Sequence, residues 1–340
     1  MPEVTLDTPT GTVQFNYVIS TPTHTSTSAI DPALPTVLFL HPVYLGKIIY
    51  HPQFADRELR RFNLVAVDLR CHARTIGRAG KGYGRDVAAR DVALLMVRAL
   101  LPTLVPYQCR CSVVDATDPA ISSIRNVDGR LHRAADGDTV PLVCTLDLRR
   151  IVSSLDREGV RHGETIEGGS MMGDAITGCL QLSVNGHPTE TFDAILRVSK
   201  ALMAAKWGVG SLDDFHVVSV DFFTLRQAYT VDAMRNIAYP VCLVHCDADI
   251  VYDLSTTNQV ADQLRTAGIA VEVVEIPNAP HFGATTHSKE INTVFHNFLL
   301  SLCSDSPPPI PDQVVSPFKD QLIAAGWESD GEDSDLEYFI

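Results

Sequence analysis

Apolar and polar residues alternate at the start of the chain, through Val4 and Leu6 and again through Val13, Phe15 and Tyr17, with Thr10-Gly11 between the runs. Side chains two apart share one face of a strand, so this pattern predicts an antiparallel hairpin with one face covered. A Thr/Ser/Pro-rich loop follows over residues 21–35. Beyond it the pattern changes to unbroken apolar runs, Thr36-Val-Leu-Phe-Leu40 and Asn63-Leu-Val-Ala-Val67, of the kind buried on both faces of a parallel sheet. Between Gly84 and Leu101 the residues Val87, Ala88, Val92, Leu95, Met96 and Ala99 recur at helical spacing, and Pro102 closes the segment. Two further strands, Val241 to His245 and Val271 to Ile276, flank a helix over about 255–267. Strands alternating with helices predict an α/β fold with a doubly wound, mostly parallel sheet.

The strand signal disappears between residues 164 and 229, where helical stretches run around 171–182, 192–207 and 212–228. An all-helical block inside an α/β chain predicts a cap. The chain therefore divides into a first core part, 1–163, in which 102–160 is atypical, a helical cap, 164–229, and a second core part, 230–303. From 304 to 340 there are nine acids against one base, with Pro307-Pro308-Pro309 near the start, and the expectation is a disordered acidic tail. Within it, Phe318 to Trp327 is the stretch with apolar residues able to dock.

Hydrophobic residues make up 45% of the chain and charged residues 20%, enough apolar material for a sizeable core. The formal charge of −14 is concentrated in the tail, and no basic stripe interleaved with aromatics is present. Nucleic acid is excluded as a partner on that ground. The N-terminus lacks a basic segment followed by an apolar run, and no stretch is long enough to span a bilayer, so the expected location is cytoplasmic. Eight cysteines lack metal-ligand spacing and are expected as reduced thiols, with no metal and no cofactor. Oligomeric state stays open.

The strand ending at His245 runs into Cys246-Asp247-Ala248-Asp249, and the strand ending at Ile276 runs into Pro277-Asn-Ala-Pro280-His281-Phe282-Gly283. The carboxyl ends of strands line the site in a doubly wound sheet. An acid and then a histidine on consecutive strand ends is the chain order of a nucleophile–acid–histidine triad on such a fold. Together with His41-Pro-Val-Tyr-Leu-Gly46 and Val67-Asp-Leu-Arg-Cys-His72, these motifs resemble the α/β-hydrolase family, in its epoxide-hydrolase, esterase and lipase-like branch with a helical cap. The resemblance covers about residues 35–101 and 207–302. It implies Asp249 as the triad acid, His281 as the general base, and the backbone at Val43 as an oxyanion donor. On residue type alone, Asp247 and Asp249 also suit a turn or the cap of the helix near Ser255, and His281 suits a packing role. His72, His245 and His287 read as structural or surface residues.

The resemblance fails at the nucleophile. That family's elbow needs an apolar strand and then Gly-x-Ser-x-Gly, because small residues permit the strained turn that presents the hydroxyl. It should follow the helix that ends at Leu101. Residues 102–160 instead hold Cys109-Arg-Cys-Ser-Val-Val-Asp115 and a poorly periodic mixture. Ser170, in Gly168-Gly-Ser-Met-Met-Gly173, has its closing glycine one residue late and lies where the cap begins. It is the nucleophile candidate, with Ser112, Cys109 and Cys111 as alternatives. A frame-slipped reading of a normal elbow is a further alternative: a one-base shift across Val113-Val114-Asp115 can be written to give Leu-Ser-Met. A second departure is Arg70-Cys71-His72-Ala73, where the family usually has Arg-Gly-His-Gly, and loss of either glycine is expected to strain a tight turn.

The resemblance implies a cofactor-independent hydrolase of a small or medium apolar ester, lactone or related acyl compound admitted beneath the cap. An aspartate nucleophile, as in epoxide or haloalkane chemistry, is a variant of the same scheme. The rival reading is a protein of this fold that does not hydrolyse and serves as a binding scaffold, or whose elbow is lost to a frame slip.

Overall fold

The computed structural model describes residues 2–100, 111–114, 166–207, 209–225, 228–303 and 306–328. The expected hairpin forms from β1 (Glu3–Thr8) and β2 (Gly11–Thr21), paired antiparallel with Val4 opposite Phe15, and Gly11 supplies a left-handed turn at φ 117°. A short β3 (His24–Thr27) folds back on β2. The sheet continues in the order β1-β2-β5-β4-β6, where β4 is Thr36–Leu40, β5 is Asn63–Val67 and β6 is Cys111–Val114. β5 is antiparallel to β2, while β4 lies parallel to both β5 and β6. A second, two-stranded parallel sheet is made by β7 (Val241–Cys246) and β8 (Val271–Ile276).

Every residue of β4 and β5 is buried, as their unbroken apolar runs require. The two faces serve two cores. Val37 and Phe39 of β4 join Leu64 and Ala66 in a cluster with Tyr50, Phe54, Phe192 and Ile195. Leu38 and Leu40 point the other way, with Val65 and Val67, onto Val92, Leu95 and Met96. Those last three come from α2 (Arg85–Leu95) and the π-helical turn Met96–Leu100 that extends it, in the position predicted for the crossover helix. A short α1 (His51–Ala55) carries Phe54 against Phe39, ring centroids 5.5 Å apart.

From residue 166 the chain is helical: α3 (Ile166–Leu182), α4 (Glu190–Lys206) and α5 (Leu212–His216). Thr189 caps α4 by accepting from the Phe192 N–H at 3.2 Å. The single helix expected over 212–228 is instead broken into α5, a π-helical turn at Val217–Asp221 and one turn at Phe222–Thr224. Three β-branched valines in Val217-Val218-Ser219-Val220 disfavour a regular helix here. Two further helices, α6 (Leu254–Thr266) and α7 (Ser288–Leu302), follow β7 and β8.

Part of the segment after 304 is placed against the body. Residues 306–328 run along the body, and 329–340 lie outside the described residues. Arg57, Arg60 and Arg61 donate to the carbonyl oxygens of Pro311, Val315 and Pro308, which satisfies the backbone of a segment without periodicity. The strap then forms α8 (Lys319–Ala324) and buries Phe318 and Leu322 in the first core cluster.

Candidate active site

β7 ends at Cys246, and the loop beyond it sorts the two acids. Asp247 Oδ1 accepts from the Asn278 N–H and so braces the turn after β8, where Asn278 has φ 59°. Asp249 does something different. Its Oδ1 accepts from the N–H groups of Val251 and Tyr252, at 2.7 and 3.1 Å, and its Oδ2 lies 2.8 Å from His281 Nδ1. Neither acid caps the helix that follows, because Asp253 takes that role through the Thr256 N–H at 3.0 Å.

A carboxylate only accepts, so His281 Nδ1 carries a proton, and in the neutral ring Nε2 is the nitrogen with the lone pair. Both side chains are about one-tenth exposed, at 11% for His281 and 9% for Asp249, which keeps the pair partly desolvated. Tyr252 and Phe282 flank the imidazole, at centroid distances of 5.4 and 5.1 Å. Among the described residues no hydrogen bond is made to Nε2. Gly283 is required at the end of this loop: a Cβ there would stand 2.6 Å from Cys246 Sγ. Burial and the Asp249 charge push the pKa of that thiol up to about 11, which favours the protonated form at neutral pH.

A second loop, between β4 and α1, carries Val43. His41 pins its start, with Nδ1 2.8 Å from the Pro42 carbonyl and Nε2 accepting from the Leu69 N–H at 2.9 Å. Burial lowers the pKa of His41 and holds it neutral, as that pair of bonds requires. Tyr44 takes φ 68° in the turn closed by Leu45 N–H to Pro42 O. Asp68, buried at the end of β5, ties down the far side: it accepts from the Lys47 N–H at 2.8 Å and pairs with Lys47 Nζ at 2.5 Å. Lys47 Nζ also reaches Asn16 Oδ1. Among the described residues the Val43 N–H has no hydrogen-bond partner.

The nucleophile candidates are placed less favourably. Ser170 lies inside α3, on helical backbone rather than at a strand-to-helix turn, and its side chain is outside the described residues. Cys111 and Ser112 belong to β6, opposite Thr36 and Val37 of β4. Cys109 lies outside the described residues, as do residues 115–165, which include the whole continuation of β6 to α3. Since β4, β5 and β6 are parallel, the chain leaves all three at one edge of the sheet: at His41, at Asp68 and after Val114. His72, His245 and His287 each make a local hydrogen bond through Nδ1. His72 Nδ1 meets the Arg70 carbonyl at 2.9 Å, His245 Nδ1 meets Thr257 Oγ1 at 3.1 Å, and His287 Nδ1 meets Thr286 Oγ1 at 3.0 Å.

Strain at the lost glycines is present. Cys71 has φ 63° and Ala73 has φ 41°, the left-handed region that favours glycine. Asn185 and Phe192 were missed as site residues. Asn185, at φ 55° before Gly186, donates to the Ala248 carbonyl at 2.9 Å and so holds the acid loop from the end of α3. Asn-Gly marks a turn in the sequence, but nothing there says what the turn touches.

No family model matches the chain, and no curated protein matches it in sequence. Solved structures do match in shape. An epoxide hydrolase from Vigna radiata aligns with a TM-score of 0.58 at 16% identity, over 88% of this chain and 98% of its own. The chain has the α/β-hydrolase fold. A putative aryl esterase from Burkholderia cenocepacia aligns at 0.57 and 15% identity, over 89% of this chain and 100% of its own. An enol-lactonase from Burkholderia xenovorans aligns at 0.53 and 14%, over 85% and 97%. At these identities the likeness carries the α/β-hydrolase fold and no substrate. Among the described residues no group of acids, histidines and cysteines could hold a metal ion, and no helix is long and apolar enough to cross a membrane.

Proposed function

We propose that this α/β-hydrolase-fold protein hydrolyses a small apolar carboxylic ester, lactone or related acyl compound without a cofactor. The observation that carries the reading is the Asp249–His281 pair, 2.8 Å apart and one-tenth exposed, with the histidine's outer nitrogen unbonded among the described residues. His281 takes the proton of the attacking nucleophile and returns it to the leaving group, while Asp249 fixes the tautomer and stabilises the imidazolium. The Val43 N–H donates to the oxyanion. The helices of 164–229 cap the site, and the protein works in the cytoplasm. Similar solved structures carrying the names esterase, lactonase and epoxide hydrolase support this class of reaction.

The nucleophile decides the matter. Ser170 remains the named candidate, and its place inside α3 weighs against it. A rival reading, a scaffold without turnover, is favoured by one observation: no described Ser, Cys or Asp side chain hydrogen-bonds His281 Nε2. Labelling with a fluorophosphonate, followed by mass-spectrometric location of the adduct, separates the two. The hydrolase reading expects an adduct on one residue in wild type and none in His281→Ala. Folded wild-type protein that takes no label and turns over no activated ester or epoxide would establish the scaffold.

A further inference from the structure

The strap of residues 306–328 ends against the two elements that grip the His281 loop. Phe318 packs edge-on against Phe54 of α1, centroids 5.3 Å apart. Next to Phe54, Gln53 donates to the Ala284 carbonyl at 2.7 Å, three residues beyond His281. Farther along, Gly326 at φ 83° closes α8, and the reversed chain lays Trp327 on His51 of α1, centroids 4.8 Å apart. The same turn is tied to α4. Arg197 donates to the carbonyl oxygens of Ala325 and Gly326, at 2.6 and 3.2 Å, and the Glu328 N–H donates to Glu190 Oε1 at 3.1 Å. From its inner face α4 sends Phe192 against Phe282, centroids 5.9 Å apart, and Phe282 is the neighbour that flanks the His281 ring. Helix α4 is thus held between the strap outside and the histidine loop inside, and α1 is held the same way.

We propose that the strap is a positioning element for His281, acting through α4 and α1. Each helix has other ties as well, α1 to Asn292 of α7 and α4 to Asp174 of α3 and the Thr75 carbonyl, and the strap links the outer sides of both. α1 is five residues long, too short to hold its own geometry without packing, and the exposed side of α4 is secured to the strap by hydrogen bonds from one arginine. A loosened strap lets Phe192 and Gln53 move, and the imidazole loses the wall and the loop anchor that keep Nδ1 on Asp249. The strap residues touch neither substrate nor the reacting atoms, so their effect on chemistry is indirect. The proposal rests on His281 being the base, but its test does not need turnover.

The test uses the full-length chain and three variants, Phe318→Ala, Phe318→Leu and Arg197→Ala. The Nδ1 proton shared with Asp249 gives a far-downfield proton resonance, assigned by its loss in His281→Gln. Hydrogen exchange is followed in peptides from α4, from residues 280–287 and from β4 and β5. Phe318→Ala is expected to broaden or abolish the downfield resonance and to cut protection in α4 and 280–287 at least tenfold, with β4 and β5 unchanged. Phe318→Leu should restore most of both. Arg197 is exposed, so Arg197→Ala does not threaten folding and is expected to show a two- to fivefold loss confined to the same peptides. An unchanged resonance in Phe318→Ala, or protection lost equally in β4 and β5, would overturn the proposal. If Phe318→Ala does not fold, Arg197→Ala decides by the same two readouts. Absence of ester turnover in wild type would count against hydrolysis alone and leave these readouts intact.

Discussion

β4 and β7 carry much the same sequence signal, Thr-Val-Leu-Phe-Leu and Val-Cys-Leu-Val-His-Cys, yet they meet different fates. β4 is flanked by β5 and β6 and is buried at every position, whereas β7 pairs with β8 alone among the described residues and keeps Val244 38% exposed. An apolar run states that a strand can be covered; its neighbours decide whether it is. The candidate chemistry sits on the less covered pair. Asp249 and His281 follow β7 and β8, while β4 and β5 supply the loop that presents Val43. Among the described residues the first half forms a multi-stranded core, and the second carries the candidate site on a two-stranded pair.

The largest effect expected from this contrast is on chemistry. Asp249→Asn removes the acceptor that fixes the His281 tautomer, and on the proposed function it should cut ester turnover by roughly 10³–10⁴-fold. Stability should change little, because the two backbone N–H groups on Oδ1 keep an acceptor in the amide oxygen. Steady-state kinetics and a melting curve on the same preparation check both parts. A loss of activity matched by a large fall in Tm would mean that Asp249 serves the fold of the second half rather than its chemistry.

Stability itself should divide the other way. Leu38→Ala deletes a fully buried side chain between β5 and α2, and such deletions cost about 2–5 kcal/mol. Val244→Ala removes partly exposed methyl groups from β7 and should cost about 1 kcal/mol or less. Denaturant midpoints of the two variants measure the contrast directly. Equal costs would show that β7 is packed in solution as tightly as β4.

Much of this was legible in the sequence, and the limits have physical causes. The β1–β2 hairpin follows from period-two alternation and Thr10-Gly11, which are local signals. The order of Asp249 and His281 on consecutive strand ends is local too, and it points to the pair that the structure brings within 2.8 Å. The choice between Asp247 and Asp249 was a matter of resemblance until the backbone N–H groups of Val251 and Tyr252 appeared on Oδ1. The docking of Phe318 to Trp327 was legible from its apolar residues, whereas 306–316 was not, because its anchors are backbone carbonyls: Arg57, Arg60 and Arg61 recognise no side chain there, so its polar, proline-rich composition says nothing about docking. Asn185 and Phe192 were hidden because each reaches a partner more than sixty residues away.

Acid should weaken the first half. His72 and His51 are both buried, and burial pushes their pKa values down to about 3 and about 4, with nearby His41 and Lys319 acting in the same direction. The fold prefers the neutral ring and the unfolded chain takes the proton, so this stability is fully present above about pH 6.5 and is lost as pH falls toward those lower values. Each histidine should remove on the order of 1.4 kcal/mol per pH unit within that window. Denaturant midpoints between pH 7 and pH 4 report the slope. His51→Gln should lower it by the equivalent of one proton, and an unchanged slope would show that His51 is not protected in solution.

The smallest effect lies at the loop between β5 and α2. Ala73 holds φ 41° without the freedom of glycine, and its Cβ is where a side chain on Gly46 would collide, at 2.8 Å. Ala73→Gly relieves the left-handed strain, worth about 1–2 kcal/mol, and gives back part of it through the greater freedom of glycine in the unfolded chain. The net should be a gain of about 0.5–1 kcal/mol. Cys71, at φ 63°, makes a poorer test, because its side chain belongs to the first core cluster and removing it would open a void. The loop also carries Asp68, which holds Lys47 and through it the Val43 turn, so relief at Ala73 should leave the Asp249–His281 pair untouched. A raised melting temperature with an unchanged downfield histidine resonance is the expected result. A shifted resonance would show that strain in the first half is felt at the site carried by the second.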